Sequence, residues 1–166
     1  MRNRELKRKS DQWMDLYKRK EPEEMEMELP HGPILYYNEL VLDHCRHPRN
    51  LGEIADADGY AQVGDPECGD QMQLWIKVDS DRISDIKFKS NGCAGAIATS
   101  SMTTVLAKGK TLKEAKRITD DHVVSALHGV SRQDGACSLS GITALREAIR
   151  NYERACLQRS NSQPPS

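Results

Sequence analysis

No apolar run in this chain is long enough to span a bilayer, which excludes helical membrane insertion. An excess of one charge sign is also missing: 24 Lys and Arg face 25 Asp and Glu, a formal net charge of -1. There is therefore no general electrostatic pull toward nucleic acid or a membrane surface. The opening run Met1-Arg2-Asn3-Arg4-Glu5 leads into charged sequence without an apolar signal core, so secretion is not expected and the location implied is the cytoplasm. In that reducing compartment five cysteines favour metal chemistry over disulfides. With 166 residues, 37% of them hydrophobic, the chain can build one domain around one modest core.

Charge divides the chain. Residues 1–32 are basic from Arg2 to Lys20 and acidic from Glu21 to Glu28, ending at Pro30-His31-Gly32-Pro33, and are expected to be a partly disordered or short-helical extension. Trp13, Leu16 and Tyr17 fall at helical spacing within it and could form a small docking patch. Residues 159–166 are polar, contain two prolines and read as a disordered tail, leaving 33–158 as the folded domain.

Within the domain, a short helix is expected from about Asn38 to Arg46, stopped by the Pro48-Arg49-Asn50 turn. Met72, Leu74, Ile76 and Val78 alternate with Gln71, Gln73, Trp75 and Lys77, the period of a half-buried strand. Asp79-Ser80-Asp81 turns the chain, and Ile86 and Phe88 continue the sheet. A helix should run from Gly95 to about Lys108, Thr111 and Glu114 form a capping box, and Asp120 or Asp121 could cap a third helix. Leu139, Ile142, Leu145, Ile149, Tyr152 and Cys156 recur every three or four residues in a long amphipathic helix. Strands first and helices afterward predict an α+β fold, a small antiparallel sheet with helices packed on one face.

Three cysteines stand in small-residue settings: Cys68 in Glu67-Cys68-Gly69-Asp70, Cys93 in Gly92-Cys93-Ala94-Gly95, and Cys137 in Gly135-Ala136-Cys137-Ser138. Glycine gives a thiolate room beside the backbone for a metal. Asp70, two residues beyond Cys68, projects to the same side in an extended segment and makes a fourth candidate ligand. Three thiolates and a carboxylate suit zinc or an iron-sulfur cluster. Cys68 and Asp70 precede one strand and Cys93 follows its antiparallel neighbour, so they share one end of the sheet. Cys93 and Cys137 also stand where helices begin, where the helix dipole and free N–H groups favour negative charge. Cys156 continues the apolar face of the last helix and Cys45 lies in the first, and both read as packing; His44, His47 and His128 read as packing, surface or helix-end residues.

Tyr37-Asn38-Glu39-Leu40 through Asp43-His44, Pro48-Arg49-Asn50-Leu51-Gly52, Glu67-Cys68-Gly69-Asp70, Gly92-Cys93-Ala94-Gly95-Ala96-Ile97-Ala98 and Cys137 occur in an order that resembles the IscU/NifU-type iron-sulfur cluster assembly scaffolds, over about residues 36–157. The resemblance implies an IscU/SufE-like fold and a scaffold rather than an enzyme. A [2Fe-2S] cluster would form on Cys68, Asp70, Cys93 and Cys137 from iron and from sulfur delivered as a persulfide by a cysteine desulfurase of the IscS/NifS kind, then pass to apo iron-sulfur proteins. Cys137, beside Gly135, is the implied first sulfur acceptor. Zinc in the purified protein and a homo-oligomer around the cluster are compatible with it; nucleic acid and membrane partners are not implied.

Two features depart from the family members that work with a dedicated chaperone. These carry His immediately before the last Cys and a Leu-Pro-Pro-Val-Lys motif just upstream; the corresponding stretch here, Gly129-Val130-Ser131-Arg132-Gln133-Asp134-Gly135-Ala136, has neither. Chaperone delivery therefore does not carry over. The alternative is a zinc-dependent sulfurtransferase of the SufU type, which the missing His suits, but the interval from Cys93 to Cys137 is the shorter, IscU-like one. A structural zinc module is disfavoured by the carboxylate ligand.

Overall fold

The computed structural model describes residues 24–27, 35–65, 70–130 and 140–161; the side chains of 24–27, 35–36, 65 and 70 are outside that description. In chain order the elements are β1 (Glu24–Met27), β2 (Leu35–Asn38), α1 (Glu39–Arg46), β3 (Gly59–Asp65), β4 (Asp70–Asp79), β5 (Arg82–Asn91), α2 (Ala94–Ala107), α3 (Leu112–Ala115), α4 (Asp120–Ala126) and α5 (Ser140–Asn161). β3, β4 and β5 form an antiparallel sheet in that order. The expected α+β fold is therefore present, with α5 lying over β3 and β4 and α2 over β5.

The β4–β5 hairpin follows from its sequence. Met72, Leu74 and Ile76 of β4 are buried, as are Ile83, Ile86 and Phe88 of β5. Ser80 and Asp81 both take positive φ, 50° and 61°, giving the two-residue turn whose twist matches that of the strands. A bulge between Lys77 and Val78 shifts the pairing from Ile76↔Ile86 to Val78↔Ile83. That shift lets Ile83 and Ile86, three residues apart, both enter the core.

β3 lacks this signal because its inward row is Gly59, Ala61 and Val63. The small side chains let α5 approach the sheet closely: a Cβ built on Gly59 would stand 2.5 Å from the carbonyl oxygen of Ala148. The start of α5 is equally tight against α2. A Cβ on Gly141 would stand 2.7 Å from Thr103 Oγ1.

Other elements differ from expectation at their edges. The acidic part of the extension contributes β1, which pairs antiparallel with β2 from Glu24↔Asn38 to Met27↔Leu35. Glu and Met alternate there, a strand period set across the proposed boundary at residue 32. α5 likewise runs to Asn161, past 158. Trp13, Leu16, Tyr17 and the tail beyond 161 lie outside the described residues. Thr119, rather than Asp120 or Asp121, caps α4, in a capping box completed by His122. The Thr111–Glu114 box on α3 is formed as expected.

α2 carries Thr99, Ser100, Ser101, Thr103 and Thr104 inside the core. Their burial is tolerable because the hydroxyls are satisfied: Thr99 donates to Gly95 O at 2.9 Å, and Thr103 to Thr99 O at 2.8 Å. Ser101 Oγ accepts from the Arg49 N–H at 2.8 Å and lies 2.8 Å from Nδ1 of His44. His44 is thus a core residue, 0% exposed, that ties α1 and the Pro48-Arg49-Asn50 turn to α2.

Burial, reinforced by Arg49 and only partly opposed by Asp43, lowers the His44 pKa from 6.5 to about 4. The neutral ring is the folded form, so this contribution to stability is full above pH ~6.5 and disappears as pH falls toward 4. It amounts to at most ~3 kcal/mol. Urea unfolding between pH 7.5 and 4 should show the wild type losing more stability than His44→Gln, which cannot gain a proton. Parallel pH profiles would remove His44 as the cause.

Candidate metal centre

The sheet sets one end of the molecule apart. β3 and β4 pair out to Asp65↔Asp70, and β4 and β5 pair out to Gln71↔Asn91. Cys93 follows two residues beyond Asn91 as the N-cap of α2, with φ -67° and ψ 168°. Its Sγ accepts from the Ala96 N–H at 3.4 Å, the role an N-cap side chain performs for a first-turn amide. The thiol is half-buried, reachable without being a core group.

Two further points of the backbone come to this end. A Cβ built on Gly95 would lie 3.6 Å from the Tyr37 hydroxyl and 3.7 Å from Val130 Cγ1, so Val130 stands beside the first turn of α2. Ser140, the first residue of α5, donates through Oγ to Met72 Sδ at 3.8 Å; Ser100 Oγ donates to the same sulfur at 3.3 Å. Met72 is two residues along β4 from Asp70. Asp65, Asp70, Cys93, Val130 and Ser140 are thereby gathered at one edge of the fold.

Of the four expected ligands, Cys93 is described in full and Asp70 by its backbone, at the first position of β4. Cys68 and Cys137 lie outside the described residues. Among the described residues no three His, Cys, Asp or Glu side chains are grouped to hold a metal.

The remaining candidates take the positions expected of packing and surface groups. Cys45 is half-buried on α1; burial pushes its thiol pKa up, against Arg46, with Cys93 adding to the rise. Cys156 is half-buried on α5. His47 is exposed, its Nδ1 3.3 Å from Asp43 Oδ1. His128 closes the end of α4 in the left-handed region, φ 56°, and its N–H donates to Ser125 O at 3.1 Å.

The family model described as the NifU-like N terminal domain matches residues 36–158 of this chain. The chain belongs to this family. Among its relatives, an Archaeoglobus fulgidus protein named iron-sulfur cluster assembly scaffold protein IscU 1 is 54% identical over 118 residues, covering 71% of this chain and 77% of its own. The protein of that function named IscU in Aquifex aeolicus is 44% identical, covering 70% and 75%. In structure, the N-terminal part of a nitrogen-fixing NifU-like protein from Brucella abortus superposes with a TM-score of 0.58, at 20% identity, over 70% of this chain and 94% of that one. That last likeness speaks for the fold alone, and it agrees with the sheet and one-sided helices found here.

The cap role of Cys93 separates folding from chemistry. Serine is a preferred N-cap and alanine a poor one, so Cys93→Ala should cost ~1 kcal/mol in urea unfolding while Cys93→Ser costs little. Equal losses in the metal-free protein would show that the cap contributes nothing.

Proposed function

We propose that the protein is a scaffold on which a [2Fe-2S] cluster is assembled and from which it is passed to apo-proteins, with Cys68, Asp70, Cys93 and Cys137 as ligands. The observation that carries this reading is the gathering of Asp70, Cys93, Val130 and Ser140 at one sheet end. Cys68 is two residues from Asp70 in the chain and Cys137 three from Ser140. Each residue adds at most ~3.6 Å of reach, so the tethers are short enough for both cysteines to meet Cys93 at one metal. The relatives' names support the assembly role.

Sulfur arrives as the outer atom of a desulfurase persulfide. The Cys137 thiolate attacks it, the enzyme's S–S bond breaks, a new one forms on Cys137, and the enzyme thiolate leaves. Two electrons per sulfur from an external reductant then yield sulfide, which joins iron held by the ligands. Asp70 supplies the exchangeable contact. Its hard oxygen is a poorer partner for iron in a sulfide cluster than a thiolate, so the cluster is held loosely enough to leave for an all-cysteine acceptor. The partners are a cysteine desulfurase and apo iron-sulfur proteins, in a reducing compartment such as the cytoplasm.

Transfer to an apo-ferredoxin, at equal initial loading, tests the release role. Asp70→Ala should assemble a cluster but pass it on more slowly than wild type, and Asp70→Cys should hold it more firmly still. Unchanged or faster transfer from both variants would reject Asp70 as the release element. Wild-type protein that also purified with zinc and activated its desulfurase would then be a SufU-type sulfurtransferase, the reading the absent histidine at 136 favours.

A further inference from the structure

We infer that Asn38 is a positioning residue for the metal centre: one side chain that caps two helices and so fixes the chain from Leu127 to Val130 beside the first turn of α2, which Cys93 caps. Its Oδ1 accepts from the Val41 N–H at 2.9 Å, closing the first turn of α1. Its Nδ2 donates to Leu127 O at 2.8 Å and to Gly129 O at 3.1 Å, with His128 O at 3.5 Å. These carbonyls follow the last turn of α4, where helix geometry leaves C=O groups without an intrahelical partner. Both amide hydrogens and the carbonyl oxygen are therefore used. The reversed amide would set Oδ1 against two carbonyls and the NH₂ against an N–H, so only one orientation satisfies the site.

The position makes this more than a stabilising contact. Asn38 joins segments 89 to 91 residues apart in sequence. The carbonyl it holds at Gly129 directly precedes Val130, whose methyl lies against the first turn of α2 at Gly95, two residues from the Cys93 cap. Cys137 is seven residues farther along the chain. Releasing Leu127 and Gly129 from Asn38 frees that departure point from α1 while leaving the sheet untouched. The consequence for chemistry rests on the reading of Cys137 as ligand and sulfur acceptor; the clasp itself does not.

Two substitutions isolate the clasp from the cap. Asn38→Ser and Asn38→Asp each retain an oxygen for Val41 N–H, since both are good N-caps, but neither offers the amide donors, and Asp also sets a charged oxygen against carbonyls. In the metal-free protein, amide exchange at His128, Gly129 and Val130 should accelerate roughly five- to tenfold, with that of Leu42, Ile76 and Leu145 unchanged. Alkylation of Cys137 relative to Cys93, followed by mass spectrometry, should rise in the same variants, with Asp exceeding Ser. Unchanged exchange at 128–130 would overturn the inference. So would acceleration spread evenly over the sheet and α5, which would make Asn38 a general stabiliser, or an unchanged alkylation ratio.

A second arm addresses function. Persulfide on Cys137, trapped after incubation with a desulfurase, should form several-fold more slowly in both variants than in wild type. Absence of persulfide on Cys137 in the wild type would count against the sulfur-acceptor reading, while the exchange and alkylation results would still decide the clasp.

Discussion

The pairing of β4 with β5 is the constraint on which the site depends. Its register holds Gln71 against Asn91, so the first residue of β4 and the last of β5 are neighbours although twenty residues of strand and turn separate them. Two of the proposed ligands hang from those two ends: Asp70 on one, Cys93 just beyond the other. The turn at Ser80 and Asp81 and the bulge at Val78 set that register, and the buried row from Met72 to Ile76 holds it, because a slip by one residue would expose every core side chain of the strand.

Close packing then brings the rest of the chain to the same edge. Gly59 and Ala61 let α5 settle onto the sheet, and Gly141 lets its first turn lie against Thr103 and Ser100 of α2. The hydroxyls around this contact are satisfied by backbone carbonyls or by the thioether of Met72, so a polar helix face can serve as core. Ser140 therefore sits over β4 near Asp70, and Asn38 draws the end of α4 to the start of α1. A single sheet end receives four stretches of chain by four different physical means: pairing, capping, close packing and a bridging amide.

Much of this was legible in the residues. Large alternating side chains revealed β4 and β5, the recurrence of Ile142, Leu145 and Ile149 revealed α5, and the Thr111–Glu114 pair located α3. β3 escaped notice for the same reason it packs well: a row of Gly, Ala and Val has too little apolar contrast to register as a strand. β1 was hidden by its charge, with Glu masking the alternating Met of residues 24–27. For His44 the sequence left packing and surface both open, because Ser101, which its ring meets, is 57 residues away. The same holds for Asn38, legible as a helix cap but not as a clasp on α4. The candidate ligands were legible through their glycine settings and the family resemblance; their convergence is described for Cys93 and the Asp70 backbone, while Cys68 and Cys137 enter through chain connectivity.

The central claim is that this sheet end builds one cluster site from Cys68, Cys93 and Cys137 together with Asp70. Anaerobic reconstitution with iron and sulfide, followed by absorption spectroscopy and metal analysis, tests it on the wild type and on each single Cys→Ser variant. The account predicts a [2Fe-2S] spectrum with two irons per site in the wild type, and loss of most of it in each of the three variants. Wild-type amounts of cluster in all three would contradict the ligand assignment.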